Sequence, residues 1–173
     1  LQGIEQRLSD PVLVERLETS VQTLDDTIKE IRSTIFELAA RGEDVSSTRQ
    51  KIIDIIDQVL APTDIEPSVR FEGPIDTVVV GPVASHLCAV LREGLTNVAK
   101  HAHASKATVT VSSREGRVAL DILDDGVGID VRAQSMGNGL ANMKSRAIDR
   151  RGDCHIERLP EGGTLLHWSA SIG

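Results

Sequence analysis

The sequence predicts an α+β fold: a two-layer sandwich in which helices cover one face of a mixed sheet, preceded by an α-helical hairpin. Three observations predict it: a heptad seam near the start, a long amphipathic helix in the middle, and pairs of short alternating strands after it. A chain of 173 residues is long enough for one well-packed domain and a smaller appendage. The helical pattern breaks at Gly42, so we place the boundary near residue 45, between domains 1–45 and 46–173.

The first domain is predicted from one apolar register in residues 12–40. Its members recur at alternating steps of three and four, and they are Val14, Leu17, Val21, Leu24, Ile28, Ile31, Ile35 and Leu38. A heptad seam of this length is typical of a coiled coil or a helical bundle. Residues 1–8 resemble the end of a preceding helix, which completes a hairpin. We expect two copies to dimerise as a four-helix bundle, the alternative being a helix packed on its own domain.

The second domain alternates helices and strands. Ser46 and Ser47 can cap a helix that ends near Leu60. Further helices are predicted at Pro82–Ala102 and from Gly137 to about Arg151, and strands at Val69–Phe71, Ala107–Val111, Val118–Ile122, Cys154–Leu159 and Thr164–Ser169.

Composition argues against two classes of partner. The net charge of −7 and an aromatic content of 2% make a nucleic-acid partner unfavourable. No apolar run approaches the roughly 20 residues that cross a bilayer, so we expect a cytoplasmic chain without membrane contact. Cys88 and Cys154 lack the spacing of metal ligands, and we expect them to be reduced, buried thiols.

Polar side chains recur along one side of the long helix. Glu93, Asn97, Lys100 and His101 follow at helical spacing, so a carboxylate, an amide, an ammonium and an imidazole line the same face. A solvated helix face would also carry charges, and this quartet alone does not distinguish the two interpretations.

Glycines punctuate the chain at two later points. Asp124–Asp125–Gly126–Val127–Gly128 follows directly after a predicted strand, where glycine lets the backbone bend or approach a ligand closely. Gly137–Asn138–Gly139–Leu140 opens a predicted helix, whose first N–H groups form an anion site. A strand followed by GxGxxG, and the GxxxxGK[ST] loop, are both absent from the sequence.

Together these motifs resemble the histidine-kinase and gyrase-type ATPase superfamily. Glu93–Ala102, EGLTNVAKHA, is similar to its N box, and Asp124-x-Gly126-x-Gly128 to its first glycine box. Gly137-x-Gly139-Leu140 is similar to the second glycine box, and Gly162–Gly163–Thr164 to the closing motif. The order of four motifs makes the resemblance specific, and it implies the ATPase form of the sandwich.

Three further sequence features narrow the resemblance to one group within this superfamily. The chain is similar to NarL-associated sensor histidine kinases in three features. These are the segment REGLTNVAKHAHAS, the short segment between the glycine boxes, and the ending EIRSTIFEL of the helical seam. The sequence is also close to actinobacterial haem-based oxygen-sensing kinases, although no haem ligand can be assigned.

The resemblance implies ATP and Mg²⁺ as cofactors and gives each polar residue a role. Asn97 would ligate Mg²⁺, and Glu93 would orient a metal-bound water or act as a base. Lys100 would neutralise phosphate charge in catalysis, and His101 would bind a phosphate oxygen. Asp124 would accept a hydrogen bond from the adenine amino group. The remaining binding residues are Gly126, Gly128, Gly137, Gly139, Leu140 and Thr164, with Ile129–Met136 as a mobile lid. Asp125 is left open, a solvated cap being its plainer interpretation.

A kinase of this type transfers the γ-phosphoryl group of ATP to a histidine, and then to an aspartate of a response regulator, here of NarL type. All five histidines of this chain follow residue 85, and the predicted first helix has none. We therefore expect a fragment that begins after the acceptor and binds Mg·ATP without phosphorylating itself. The alternatives are a serine kinase of the anti-sigma-factor type and a non-catalytic, nucleotide-gated dimerisation module.

Overall fold

The computed structural model describes residues 47–128 and 138–173. Contacts divide the chain into Leu1–Asp44 and Val45–Gly173, and the described residues belong to the second unit. The predicted hairpin and bundle in residues 1–45, the lid at Ile129–Met136 and Gly137 lie outside the described residues, so they stay predictions.

The second unit contains the following elements in chain order. Its helices are α1 Thr48–Leu60, α2 Ile75–Val78, α3 Gly81–Asn97 and α4 Asn138–Ile148, with a π-helical turn Val98–Ala102 directly after α3. Its strands are β1 Glu66–Glu72, β2 Lys106–Arg114, β3 Arg117–Asp124, β4 Cys154–Arg158 and β5 Thr164–Ser171. Ser47 caps α1 as predicted, because its hydroxyl accepts a hydrogen bond from the Gln50 N–H at 3.2 Å.

The strands form one five-stranded sheet in the order β1-β2-β3-β5-β4. β1 runs parallel to β2, and the other neighbours are antiparallel. Alternate residues of β2 and β3 are buried under the helices, while those between them face the other side. The prediction of a mixed sheet covered by helices on one face is therefore confirmed.

Helix α3 packs its apolar stripe on the covered face of the sheet. Leu87, Leu91 and Leu95 are fully buried, as is Trp168 of β5. Gly94 lets the helix backbone approach closely, since an added β carbon would lie 2.5 Å from Cδ1 of Ile122. Burial of each large aliphatic side chain contributes roughly 1.5–3 kcal/mol, so this stripe fixes the position of α3.

Three local features differ from the sequence prediction. β1 is longer than Val69–Phe71, because it is an exposed edge strand and its ends lack an apolar signal. The short helix α2 was not predicted. The predicted helix Pro82–Ala102 is continuous, but its last turn is a π turn that ends at His103 in the left-handed region, at φ 50°.

Helix α4 ends earlier than the predicted Arg151. The Gly152 N–H donates to the Ala147 carbonyl and the Arg151 N–H to the Ile148 carbonyl, at 2.8 and 3.0 Å. Arg151 has a φ of 51°. These bonds form a Schellman motif, with arginine at the left-handed position that glycine usually takes.

The uncovered face of the sheet carries two histidines on neighbouring strands. His155 and His167 are directly opposed, with ring centroids 5.0 Å apart. Their Nδ1 atoms lie 3.0 Å from Asp153 Oδ2 and 2.6 Å from Asp121 Oδ1 respectively. Within residues 47–128 and 138–173 no three side chains of His, Cys, Asp or Glu are arranged to hold a metal ion. The His167–Asp121 contact joins β5 to β3.

The two cysteines are free thiols, Cys154 buried and Cys88 half-buried. Desolvation raises the pKa of each thiol to about 11, so both stay protonated near neutral pH. Among the described residues, no helix is both long and apolar enough to cross a bilayer.

His86 of α3 gives the fold a pH dependence. Its Nδ1 atom is buried without a hydrogen-bond partner among the described residues. Burial and the positive charges of Arg146 and Arg150 lower the pKa of His86 from 6.5, against a backbone hydrogen bond with Arg146 and the negative charge of Asp149. The unfolded chain therefore binds a proton more readily than the folded chain below pH 6.5.

We expect the unfolding free energy to fall as the pH drops below 6.5, and His86→Gln to flatten this dependence. Urea unfolding followed by the fluorescence of Trp168, the only tryptophan in the chain, measures it at several pH values. His103→Gln, at the exposed helix end, is the control. An unchanged pH profile in His86→Gln would contradict the assignment. The depressed carboxylate pKa values of Asp125 and Asp153 act in a separate window below 3.8.

Candidate functional site

The polar quartet lies where α3 passes into the π turn. Glu93 and Asn97 are half-buried, whereas Lys100 and His101 are exposed on the π turn. The Asn97 amide makes no hydrogen bond to any residue of the two described ranges. π turns inside helices occur frequently at functional sites.

The second glycine box lies against this face of α3. A β carbon on Gly139 would collide with the Glu93 carboxylate, so the missing side chain is what admits Glu93. Gly139 is in the first turn of α4, whose N–H groups carry a partial positive charge. Leu140 is half-buried and packs on the core. The structure thus brings Glu93 and Gly139 together, over a separation of 46 residues.

Asp124 ends strand β3 and is buried, with 5% of its surface exposed. Its Oδ1 atom accepts a hydrogen bond from the Gly126 N–H at 2.9 Å, which closes the turn. Oδ2 accepts none from residues in the described part of the chain. Asp124 is therefore a buried, oriented carboxylate with one oxygen left for a donor such as an amino group.

The first glycine box is hydrogen-bonded directly to the end of the π turn. The Val127 N–H donates to the Ala102 carbonyl at 2.8 Å. A β carbon on Gly126 would collide with the same carbonyl oxygen, so only glycine allows this approach. The N box and the first glycine box are consequently held as one unit.

The closing motif packs against the same turn from the other side. Gly163, at φ 89°, comes so close that a β carbon would collide with the Asp124 carbonyl. Extending the register of β3 and β5 by one residue sets Thr164 opposite Asp124.

Gly128 contacts Arg158, a residue that no motif in the sequence indicates as part of the site. It has a φ of 74°, and a β carbon there would lie 2.8 Å from Cγ and 2.9 Å from Nε of Arg158. The Arg158 side chain therefore covers Gly128. Nothing in the local sequence indicates this, because the contact joins strand β4 to a loop 30 residues earlier.

A family model matches this part of the chain. Residues 83–171 match the histidine kinase-, DNA gyrase B- and HSP90-like ATPase family, HATPase_c, over just over half of the chain. The chain belongs to this family. The match covers every motif from the N box to the closing motif, as the sequence predicted.

Relatives within the ATPase family include sensor proteins. The nitrate/nitrite sensor protein NarX of Escherichia coli is 40% identical over 82 residues, which are 47% of this chain and 14% of NarX. The sensor protein VraS of Staphylococcus epidermidis is 27% identical over 176 residues, 99% of this chain and 49% of VraS. The chain thus spans about half the length of VraS. The likeness to NarX fits the predicted NarL association, and the likeness to haem-based kinases stays a prediction.

Solved structures of histidine kinases share the fold. Acinetobacter baumannii AdeS has a TM-score of 0.59 at 17% identity, over 99% of this chain and 91% of that chain. The mycobacterial sensor kinase MprB has a TM-score of 0.55 at 21% identity, over 73% of this chain and 95% of that chain. At these identities the likeness supports the fold alone.

The two glycine boxes allow a paired test of these contacts. Gly126→Ala should lower the unfolding free energy by about 1–3 kcal/mol, because its β carbon meets a backbone carbonyl that cannot move freely. Gly139→Ala should change it by less than about 1 kcal/mol, because the end of the Glu93 side chain can swing away and alanine favours a helix. Urea unfolding measures both. Equal losses in the two variants would contradict the contacts.

Proposed function

We propose that this chain binds Mg·ATP and is the catalytic part of a sensor histidine kinase. The observation that carries the proposal is the meeting of motifs distant in sequence around one buried carboxylate. Glu93 contacts Gly139, Val127 is bonded to Ala102, and Gly163 packs on Asp124. Membership in the ATPase family and the sensor relatives support the same conclusion.

Asp124 is proposed to recognise adenine. The Gly126 N–H already holds one oxygen of this carboxylate, so its second oxygen can accept from a ligand that brings an N–H group. The adenine amino group is such a donor, and guanine and hypoxanthine present an oxygen at the same position. Thr164, opposite Asp124, is proposed to take part in the same contact.

The residues of the N box fit the metal and the phosphates. Mg²⁺ takes few protein oxygens and keeps several waters, so the single amide oxygen of Asn97 suits it. When bound, Mg·ATP supplies the γ-phosphoryl group and a positive ion that offsets phosphate charge. Lys100 and His101 would hold phosphate oxygens, and the first turn of α4 would present the Gly139 N–H to them. Glu93, beside that turn, is proposed to orient a water or accept a proton.

The acceptor histidine and the partners belong to the whole protein. His155 and His167 each have Nδ1 paired with a carboxylate, and His86 is half-buried. His101 and His103 are exposed, but they lie on and directly after the π turn that we propose holds the nucleotide. We propose that the acceptor lies upstream of this chain and that the phosphoryl group passes to a NarL-type response regulator. We further propose that residues 1–45 form part of the dimerisation bundle and that the kinase acts in the cytoplasm.

Calorimetric titration with ATP, with and without Mg²⁺, tests the proposal. Wild-type protein should bind in or below the millimolar range, and Asp124→Asn should weaken binding at least about tenfold by removing an acceptor of a buried hydrogen bond. Asp121→Asn is the matched control, since Asp121 lies on the same strand but on the uncovered face. Equal binding by both variants would contradict the role of Asp124, and absence of wild-type binding would contradict the proposed function.

Asn97→Asp tests whether the site is catalytic. A second carboxylate beside the phosphates should alter the metal site and reduce transfer of radiolabelled phosphate to an intact acceptor chain supplied in trans by about a hundredfold or more. Loss of transfer with dimerisation intact supports the kinase. Unchanged transfer, with only a lost conformational response to ATP, would support the nucleotide-gated dimerisation module instead.

A further inference from the structure

Asp125, the second aspartate of the first glycine box, is tied to the start of strand β2. Its Oδ1 atom accepts hydrogen bonds from the N–H groups of Ser105 and Lys106, each at 2.8 Å. Its Oδ2 atom accepts one from the Ser105 hydroxyl at 2.6 Å. Although its side chain is exposed, the Asp125 carboxylate thus accepts three hydrogen bonds from the protein. This is more than the solvated cap considered in the sequence analysis requires.

The bonded residues follow directly on the end of the N box. The π turn ends at Ala102, His103 takes the left-handed conformation, and Ser105 precedes β2. The backbone of Asp125 also donates to the Lys106 carbonyl at 3.3 Å. Asp125 thus joins the turn that carries Asp124 to the chain leaving the N box.

The three bonds favour the ionised carboxylate. Hydrogen bonds from the Ser105 hydroxyl and then from the Lys106 N–H lower the pKa of Asp125 below its usual value. Each donor points at the carboxylate, and no cation shares it among the described residues, since Arg and Lys side chains make no salt bridge to it there. The three hydrogen bonds hold the Asp125 carboxylate in one position, and we call them the Asp125 cradle.

Asp124 and Asp125 are adjacent but face opposite ways. Asp124 is opposite the buried Ala107 and points under the helices, whereas Asp125 is exposed. A rotation of the peptide between them would move both carboxylates together. Asp125 fixes that peptide from one side, as the Gly126 N–H bond to Asp124 fixes it from the other.

We infer that Asp125 is a positioning residue that acts through Asp124 and determines the preference for adenine over a 6-oxopurine. This rests on the proposed function, because it presumes that Asp124 reads the purine amino group. Loss of the Asp125 cradle frees the turn, so that Asp124 no longer rejects a base that presents an oxygen there.

The test compares the affinities for ATP and inosine triphosphate, both with Mg²⁺, by calorimetry. Wild-type protein should bind ATP at least about tenfold more tightly, because a site built for a donor rejects an analogue without it. Asp125→Ala should weaken ATP binding about tenfold and leave inosine triphosphate nearly unchanged, so the preference collapses. A purely structural role would weaken both nucleotides equally.

Asp125→Asn is the rescue variant. Its amide oxygen can accept both backbone N–H bonds and its amide nitrogen can donate to the Ser105 hydroxyl, so the preference should persist. Ser105→Ala, which removes one of three bonds, should give an intermediate preference and serves if Asp125→Ala does not fold by Trp168 fluorescence.

Four outcomes decide the inference. A collapsed preference in Asp125→Ala with recovery in Asp125→Asn supports it. An unchanged preference in folded Asp125→Ala, or an equal loss for both nucleotides, overturns it while leaving the proposed function intact. If the wild-type protein binds neither ATP nor inosine triphosphate, the proposed function is overturned and this inference with it.

Discussion

Three chain segments meet at the first glycine box with no side chain between their backbones. The Ala102 carbonyl reaches Gly126 and Val127 from one side, and Gly163 reaches Asp124 from the other. The site depends on this approach, because it joins the end of the N box, the buried carboxylate and the closing turn. Without it, the end of the N box, the turn after β3 and the closing turn would not be held against one another.

The negative net charge of the chain does not conflict with the proposed binding of a triphosphate. The net charge of −7 belongs to the whole chain, whereas the site itself offers N–H groups of the first turn of α4, the exposed ammonium of Lys100 and the exposed imidazole of His101. The local electric field at a site determines how a compact anion binds, whereas the net charge of the chain affects its encounter with large anions. Glu93 lies at this helix end, where an anionic group is favoured, so its carboxylate and a phosphate would share one electrostatic environment.

Much of the fold could be predicted because its signals are local. The alternation of β2 and β3, the stripe of α3 and the Ser47 cap each depend on residues a few positions apart. The order of glycine motifs gave the family for the same reason. The contacts of Asp125 with Ser105 and of Gly128 with Arg158 could not be predicted, because each joins residues 20 or more apart that show no pattern. The Schellman motif was missed because arginine, and not glycine, takes its left-handed position.

The π turn has a consequence for how related sequences can diverge. A π turn contains one more residue than the α-helical turn it replaces. If one residue of Val98–Ala102 were deleted, the helix would regain its ordinary winding and every later side chain would rotate by about 100°. The Ala102 carbonyl would then miss its N–H donor, whichever residues remained. Chain length in this segment therefore determines the contact separately from residue identity, and an alignment gap there would mark a change of geometry.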